Sequence, residues 1–382
     1  MKNESSVTKV LPVLFGFFIM GLVDLVGIAT NYVKQDFALS DTLANMLPMT
    51  LFVWFGVLSV PTSIMMNKLG RKRTVILSMA ITLLAMLLPL IAYNFPMMLV
   101  AFGLLGIGNT IIQVSLNPLL TNVVRGDRLT SSLTLGQFIK AIAAFLGPII
   151  AAVAAARFGN WKLVFLIFAG ITVISGLWLQ FTFIHENTVN QSSSSFKSSF
   201  SLLKDKTILM LFLGIILVVG VDVGLNTTIP KFLMERCNIV LEKAGLGTSL
   251  YFVARTVGTF LGAILLVKLS GRKFFIVSML VAIPALLVML LISNMWGILS
   301  MVFIIGFAIA NVFSIIFSAA LKKMPDRANE ISGLLIMGIA GGAVFPLIMG
   351  ITSDSIGQTG GMAVLMIALV YLLYTALKLK NT

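Results

Sequence analysis

Apolar positions in this chain neither alternate with polar ones nor line a single helical face. They come in runs of about twenty residues or more, separated by short polar stretches rich in Lys and Arg. A run of that length at helical rise crosses the hydrocarbon core of a bilayer. Twelve such segments are read. In the first half they are 11–31, 42–66, 74–93, 96–123, 129–156 and 161–184; in the second, 207–233, 241–267, 274–293, 296–321, 331–352 and 360–377. The pattern predicts an all-α membrane protein of twelve transmembrane helices in two six-helix bundles, 1–184 and 207–382. A linker at 185–206 joins them, and its Gln191-Ser192-Ser193-Ser194-Ser195 run has no apolar content to bury.

The first span carries one charge, Asp24, near its middle. A charge at that depth costs about 2.5–3.5 kcal/mol on insertion scales, so it is expected to face a cavity or a partner. The second half answers Gly21-Leu22-Val23-Asp24 with Val219-Gly220-Val221-Asp222, again deep in an apolar run. The chain therefore reads as two related halves, each with an acid in its first helix.

Composition narrows the classes. The chain is 59% hydrophobic and 10% charged, with a mean hydropathy of +1.07, where a soluble domain would hold about 25% charged residues. The net charge of +14 would suggest nucleic acid in a soluble chain, but here the bases sit in the loops. Nineteen Lys and Arg fall on the side shared by both tails and the linker, six on the other, and two, Lys140 and Arg255, lie inside spans five and eight. By the positive-inside rule both termini are expected in the cytoplasm. The first span is too long for a signal-peptide core and is expected to be retained. Cys237 is the single cysteine. No metal-ligand cluster, nucleotide loop or nucleophile triad is read, so neither enzyme chemistry nor a cofactor is expected, and the short loops leave no room for an inserted catalytic domain.

Polar residues inside the spans are spaced along helix faces. Span four carries Asn109, Gln113 and Asn117 at i, i+4 and i+8; span seven carries Asp222 and Asn226; span ten Asn311, Ser314 and Ser318; span one Asp24 and Asn31. Span eight places Thr248, Tyr251, Arg255 and Thr259 on one face. Intramembrane amides can tie helices together, at about 0.6 kcal/mol each, or can match the hydroxyls of a sugar, each of which both donates and accepts. The four buried charges form one acid and one base per half, Asp24 with Lys140 and Asp222 with Arg255. Either they are structural ion pairs, or at least one acid alternates between a proton and its base. Trp54, Phe138 and Tyr251 could stack on a sugar ring. His185, beside Glu186 at the end of span six, reads as interfacial.

Two loops repeat. Asn67-Lys68-Leu69-Gly70-Arg71-Lys72 follows span two and Lys268-Leu269-Ser270-Gly271-Arg272-Lys273 follows span eight, so Gly-Arg-Lys recurs 201 residues apart. This loop is similar to the signature of the major facilitator superfamily, with Ser63 where that family usually has glycine and Asn67 where it usually has aspartate. The resemblance implies gating roles for Asn67, Gly70, Arg71, Lys72, Gly271, Arg272 and Lys273, and a cavity lined by spans one, four, seven and ten. More specifically, the chain resembles the fucose permease branch, the sugar:proton symporters. It does so at Asp24, at Gln113-Val114-Ser115-Leu116-Asn117-Pro118, at Leu135-Gly136-Gln137, and in the stretch from Gly341-Gly342 to Ser353-Asp354. Gln113 stands where those carriers have a glutamate, and Lys140 where they have a neutral amide.

The resemblance implies uptake of a fucose-type or related monosaccharide with a proton by alternating access. Proton-coupling candidates are Asp24 first and Asp222 second. Substrate-binding candidates are Asn31, Asn109, Gln113, Asn117, Gln137, Lys140, Asn226, Tyr251, Arg255, Asn311 and Ser314. Two other classes stay open, an organic-anion or sugar-acid:proton symporter, which Lys140 and Arg255 suit, and a drug:proton antiporter. Gly147-Pro148 resembles part of a motif of proton-coupled antiporters, but Ala151-Ala152 stands where that motif has paired glycines, and a Gly-Pro pair also simply bends a helix. The expected partners are a small sugar or sugar acid, a proton and the lipid bilayer, with no nucleic acid, in a monomer of the bacterial inner membrane.

Overall fold

The structure, a computed structural model, describes residues 7–39, 43, 46–124, 126–186, 196–239 and 241–379. All regular structure among them is helical: α1 (Val7–Gly21), α2 (Leu25–Asp36), α3 (Met46–Leu69), α4 (Arg71–Ile91), α5 (Phe95–Thr121), α6 (Leu129–Phe158), α7 (Leu163–Phe181), α8 (Phe196–Ser201), α9 (Lys206–Cys237), α10 (Leu241–Leu265), α11 (Gly271–Leu291), α12 (Met295–Ile309), α13 (Val312–Lys323), α14 (Ala328–Met337) and α15 (Gly341–Lys378). Among the described residues, eleven stretches are long and apolar enough to cross a membrane. The remaining span of the twelve is in pieces. It begins as α14, tightens into a 3-10 turn at Gly338–Ala340, and continues in the first half of α15.

Among the described residues three spans are broken, two of them where polar candidates lie. The first is interrupted between α1 and α2 by a 3-10 turn at Leu22–Asp24, the tenth between α12 and α13 at Ala310 and Asn311, and the eleventh at Gly338–Ala340. Such breaks free backbone carbonyls inside a membrane, which is tolerated only where protein or a cavity satisfies them.

Spans eleven and twelve, expected as separate helices with a loop at 353–359, meet at a kink instead. Ile356 and Gly357 leave helical geometry, and Gly357 has φ +77°. The kink is held by Glu235, whose carboxylate accepts the backbone N–H of Gln358 at 3.0 and 3.1 Å. Gly70, with φ +86°, makes the matching arrangement before α4. There Glu186 accepts from the N–H groups of Arg71 at 2.6 Å and Lys72 at 2.8 Å. In both places a left-handed glycine opens a helix N-terminus to an acid from another segment, where the exposed amides and the helix dipole favour it.

The chain divides into two compact units, here taken for their described residues: Met1–Leu129, Gly136–Ser201 and Pro325–Met337 in the first, and Thr130–Leu135, Leu202–Met324 and Gly338–Thr382 in the second. In the first, α5 is the core helix, buried almost continuously from Ala101 to Leu120. Its glycines let neighbours approach: a Cβ on Gly106 would lie 2.3 Å from the Leu51 carbonyl of α3, and one on Gly108 2.6 Å from the Thr82 hydroxyl of α4. In the second unit, Gly220 and Gly224 of α9 do the same for Phe345 and Met349 of α15, while Gly258 and Gly262 of α10 admit Ala310 and Asn311. Lipid gives no hydrophobic drive for helix association, so these small-residue contacts and interhelical hydrogen bonds carry it.

Candidate functional site

Polar candidates occur in both units, and each set is taken in its own. In the first unit Asp24 ends the 3-10 turn between α1 and α2. Leu22, Val23 and Leu25 around it are buried, while Asp24 itself is exposed, as is Gly27 one turn on. The turn is held from two sides. A Cβ on Gly21 would lie 2.4 Å from the Lys140 carbonyl and 2.8 Å from the Ala143 Cβ, so α1 crosses α6 in backbone contact one turn before Asp24. From the other side, Asn109 of α5 donates its Nδ2 to the Met20 carbonyl at 2.7 Å, tying down an acceptor beside the break. The base expected to pair with Asp24, Lys140, thus sits on the helix that α1 crosses there, half-buried.

The amide column of α5 is real and linked end to end. Gln113 Nε2 donates to Asn109 Oδ1 at 2.7 Å, and Asn117 Nδ2 to the Gln113 carbonyl at 2.8 Å. All three side chains are buried, and Asn117 Oδ1 has no protein partner. Of the two uses open to the column, Asn109 visibly serves the helix break; Asn117 retains an acceptor for something else. Gln137 and Phe138 of α6 are half-buried, the Trp54 indole N–H is buried without a partner, and the Asn31 side chain lies outside the described residues.

The second unit contains the most fully formed cluster. Asp222 of α9 faces Tyr251 and Arg255, one turn apart on α10. The Tyr251 hydroxyl donates to Asp222 Oδ1 at 2.6 Å, and Arg255 Nη1 lies 2.8 Å from Oδ2 and 2.7 Å from Oδ1. The predicted pairing of Asp222 with Arg255 is present, and Tyr251, a substrate-binding candidate from the sequence, here anchors Asp222 by a hydrogen bond. Its ring is wholly buried against Gly306 of α12, where a Cβ would come within 2.9 Å of ring Cδ2. Thr248 donates to the carbonyl of Asn226 at 3.3 Å, which aligns the same faces of α9 and α10 a turn further along.

Asn311 opens α13 at the break in the tenth span. Its Nδ2 donates to the Gly258 carbonyl at 2.9 Å. Its Oδ1, and the hydroxyl of Ser314 one turn on, are buried and carry no protein partner. Buried polar atoms are nearly always paired, so these acceptors and Asn117 Oδ1 are natural contacts for a solute or water. Ser318, at the end of the same column, pairs with Thr130 at 2.6 Å.

The repeated loops have different partners. Arg71, buried at 7% accessibility, donates to Asn329 Oδ1 at 2.7 Å, Asn122 Oδ1 at 2.8 Å, and to the Pro118 carbonyl and Thr121 hydroxyl at 3.1 Å. Asn329 returns an N–H to Asn67 Oδ1 at 2.5 Å, and Ser332 donates to the Val114 carbonyl at 2.6 Å. Lys72 caps the end of α7 through the carbonyls of Gln180 and Thr182, at 2.8 and 2.9 Å. In the second unit the capping role passes to Arg272, which donates to the Leu377 carbonyl near the end of α15 at 3.1 Å. There Ser131 donates to the Ala263 carbonyl at 2.5 Å; Ser131 and Ser332 lie 201 residues apart, the spacing of the loop repeat.

Asn329, Glu186 and Glu235 escaped the sequence reading because they lie at helix ends, outside the apolar spans where polar residues stand out. So did a cluster near the other ends of the spans. Tyr93 and Trp161 both donate to Asp36 Oδ2, at 2.5 and 3.0 Å, and Lys162 lies 4.2 Å from the Tyr93 ring centre. Burial, with the Asp36 hydrogen bond and charge adding to it, pushes the Tyr93 hydroxyl pKa well up. Asp36 ends α2, Tyr93 lies between α4 and α5, and Trp161 and Lys162 lie between α6 and α7, with no one-dimensional spacing to join them.

A sequence profile described as the Major Facilitator Superfamily matches residues 13–346. The chain belongs to that superfamily. It is an integral membrane transporter and not an enzyme, all-helical in the superfamily fold. Among its relatives, the glucose/galactose transporter of Brucella abortus is 25% identical over 365 residues, covering 89% of this chain and 86% of that one. The fosmidomycin resistance protein of Escherichia coli is 24% identical over 331 residues, covering 84% and 80%. Among solved structures, the superfamily transporter FucP in an outward conformation matches with a TM-score of 0.89 at 18% identity, over 99% of this chain and 100% of that one. A variant of the same protein, the fucose:proton symporter of Escherichia coli, matches with 0.86 at 16% identity, with the same coverage.

Proposed function

We propose that this carrier takes up a neutral hexose or related monosaccharide together with a proton, by alternating access, across a bacterial inner membrane with both termini cytoplasmic. Two bundles, 1–184 and 207–382, move as the working halves about the 185–206 linker, in a monomer. The observation that carries the reading is the placement of Asp24: an exposed carboxylate at a break in a largely buried membrane span, whose preceding turn is tied to the column of carboxamides through Asn109. A carboxylate reached by solvent inside a span can exchange a proton without leaving its helix, and the adjoining amides supply donors and acceptors suited to sugar hydroxyls. The similarity to a glucose/galactose transporter and to a fucose:proton symporter supports the same choice.

In this reading Asp24 takes the coupling proton and Asp222, already held by Tyr251 and Arg255, does not. Asn117, Gln137, Asn226, Asn311, Ser314 and Arg255 contribute sugar contacts. Lys140 is the base that answers Asp24 when the proton leaves. The Asn67–Asn329–Arg71 network and its partners in the repeated loops act as gates that open and close as the carrier turns over.

A second reading, proton-coupled export of a drug, is favoured by one finding, the likeness to a fosmidomycin resistance protein. The two separate by direction of flux. De-energised cells expressing the carrier are given neutral hexoses, sugar acids and fosmidomycin in turn while a pH electrode follows the medium. Alkalinisation on adding a neutral hexose is expected. A signal from sugar acids alone turns the reading to anion symport, and drug leaving as protons enter turns it to antiport.

A further inference from the structure

We infer that Asp222 is the residue that excludes anionic sugars from this carrier. The inference rests on the neutral-sugar reading above and deepens it, assigning a selectivity role to an acid that the coupling scheme leaves unused. Arg255 is the cation of the second unit that would otherwise invite a carboxylate. Its side chain and that of Asp222 are 34% and 27% accessible, so a solute can reach both. Asp222 answers that charge at 2.7 Å, and it cannot turn aside, because the Tyr251 hydroxyl holds Oδ1 at 2.6 Å and the Tyr251 ring is locked against Gly306.

The consequence for a ligand follows from charge. A sugar hydroxyl satisfies both members of the pair, accepting from the guanidinium and donating to the carboxylate. A uronate reaching for Arg255 meets a fixed negative charge at the same distance, and like charges set together strongly disfavour the wrong partner. The pair therefore admits the neutral sugar and rejects its acid, by repulsion rather than by shape. Asp222→Asn keeps the shape, and its amide oxygen can still accept from Tyr251, but the repelling charge is gone.

The test uses purified full-length carrier in proteoliposomes, with galactose counterflow inhibited by galactose or by galacturonate. For wild type, galacturonate is expected to compete at least about a hundredfold more weakly than galactose. In Asp222→Asn the gap is expected to narrow by about tenfold or more, and in Asp222→Asn with Arg255→Gln to reopen. Asp222→Glu, which keeps the charge, is expected to keep the exclusion. Wild-type carrier that binds the two ligands alike overturns the inference whether or not any variant folds. So does an Asp222→Asn variant with an unchanged ratio, or one that loses both ligands and regains both in the double variant, the pattern of a purely structural ion pair. A wild-type carrier that moves no neutral hexose overturns the sugar reading itself, and this inference with it.

Discussion

The two halves each place an acid in their first membrane helix, and the two acids sit in different settings. Asp222 lies within an unbroken helix, gripped by a buried tyrosine and by an arginine that lies one turn from it on α10. Asp24 stands at a break, exposed, where Gly21 meets the Lys140 backbone and Asn109 donates to the Met20 carbonyl. Acids at matching places in two helices thus differ in setting: Asp222 lies in a continuous helix against Tyr251 and Arg255, and Asp24 stands where its helix breaks. In the proposed scheme the first setting serves selectivity and the second serves proton exchange.

The largest effect that would sharpen this contrast is expected from Asp24→Asn. One proton moving with each sugar down 100 mV supplies about 2.3 kcal/mol, roughly a fiftyfold accumulation. The variant should fall to equilibrium, with no gradient, yet still exchange labelled sugar. Asp222→Asn should keep accumulating neutral sugar. If both variants lose accumulation alike, the contrast fails.

Next in size are the glycines that hold each acid's setting. Gly21→Ala drives a Cβ to 2.4 Å of the Lys140 backbone carbonyl, and backbone cannot yield as a side chain can; about 1–3 kcal/mol of destabilisation is expected. Gly306→Ala presses on the Tyr251 ring at 2.9 Å and should cost less. Gly27→Ala, with open space around it, should leave the unfolding temperature in detergent unchanged and serves as the control. A Gly27 variant as unstable as the Gly21 one would mean that the crossing of α1 and α6 is not what positions Asp24.

Tyr251→Phe removes a donor to a charged acceptor, for which about 1.5–3 kcal/mol is typical. It is expected to leave proton-driven accumulation ratios intact while weakening the discrimination against galacturonate, which would separate anchor from proton carrier.

The smallest effect concerns Asp205, outside the spans, which caps α9 by accepting from Thr207 at 2.8 Å and Ile208 at 3.0 Å. Burial works upward on its pKa, but those two amides and the Lys323 ammonium outweigh it and hold the carboxyl below its ordinary range. With the folded pKa depressed, the stabilisation is complete above the unfolded value near pH 4 and fades as pH falls through the folded one. Asp205→Ala is expected to cost about 1 kcal/mol at neutral pH and to flatten the acid limb of the stability profile. An acid limb as steep as that of wild type would contradict the assignment.

Much of this was legible in one dimension, and the limits have physical causes. Continuous apolar runs announced the spans, because lipid allows nothing else. The repeats of Asp24 and Asp222 and of the Gly-Arg-Lys loops suggested two related halves, and the tally of one acid and one base per half paired Asp222 with Arg255, as the structure has them. The hydrogen bond from Tyr251 to Asp222 was not visible, since it depends on Gly306 emptying a space on a third helix. Nor were the helix breaks: the sequence around Asp24 and Asn311 is as apolar as any other span. The kink at Gly357 resembled a loop because its stabiliser, Glu235, lies over a hundred residues away.

The most direct measurement of the central claim is sugar accumulation and sugar exchange, read in the same proteoliposomes, for wild type and Asp24→Asn. The expected result is uphill accumulation with exchange in wild type, and exchange without accumulation in the variant. A variant that still concentrates sugar under a proton gradient would contradict Asp24 as the coupling site and return that role to another acid.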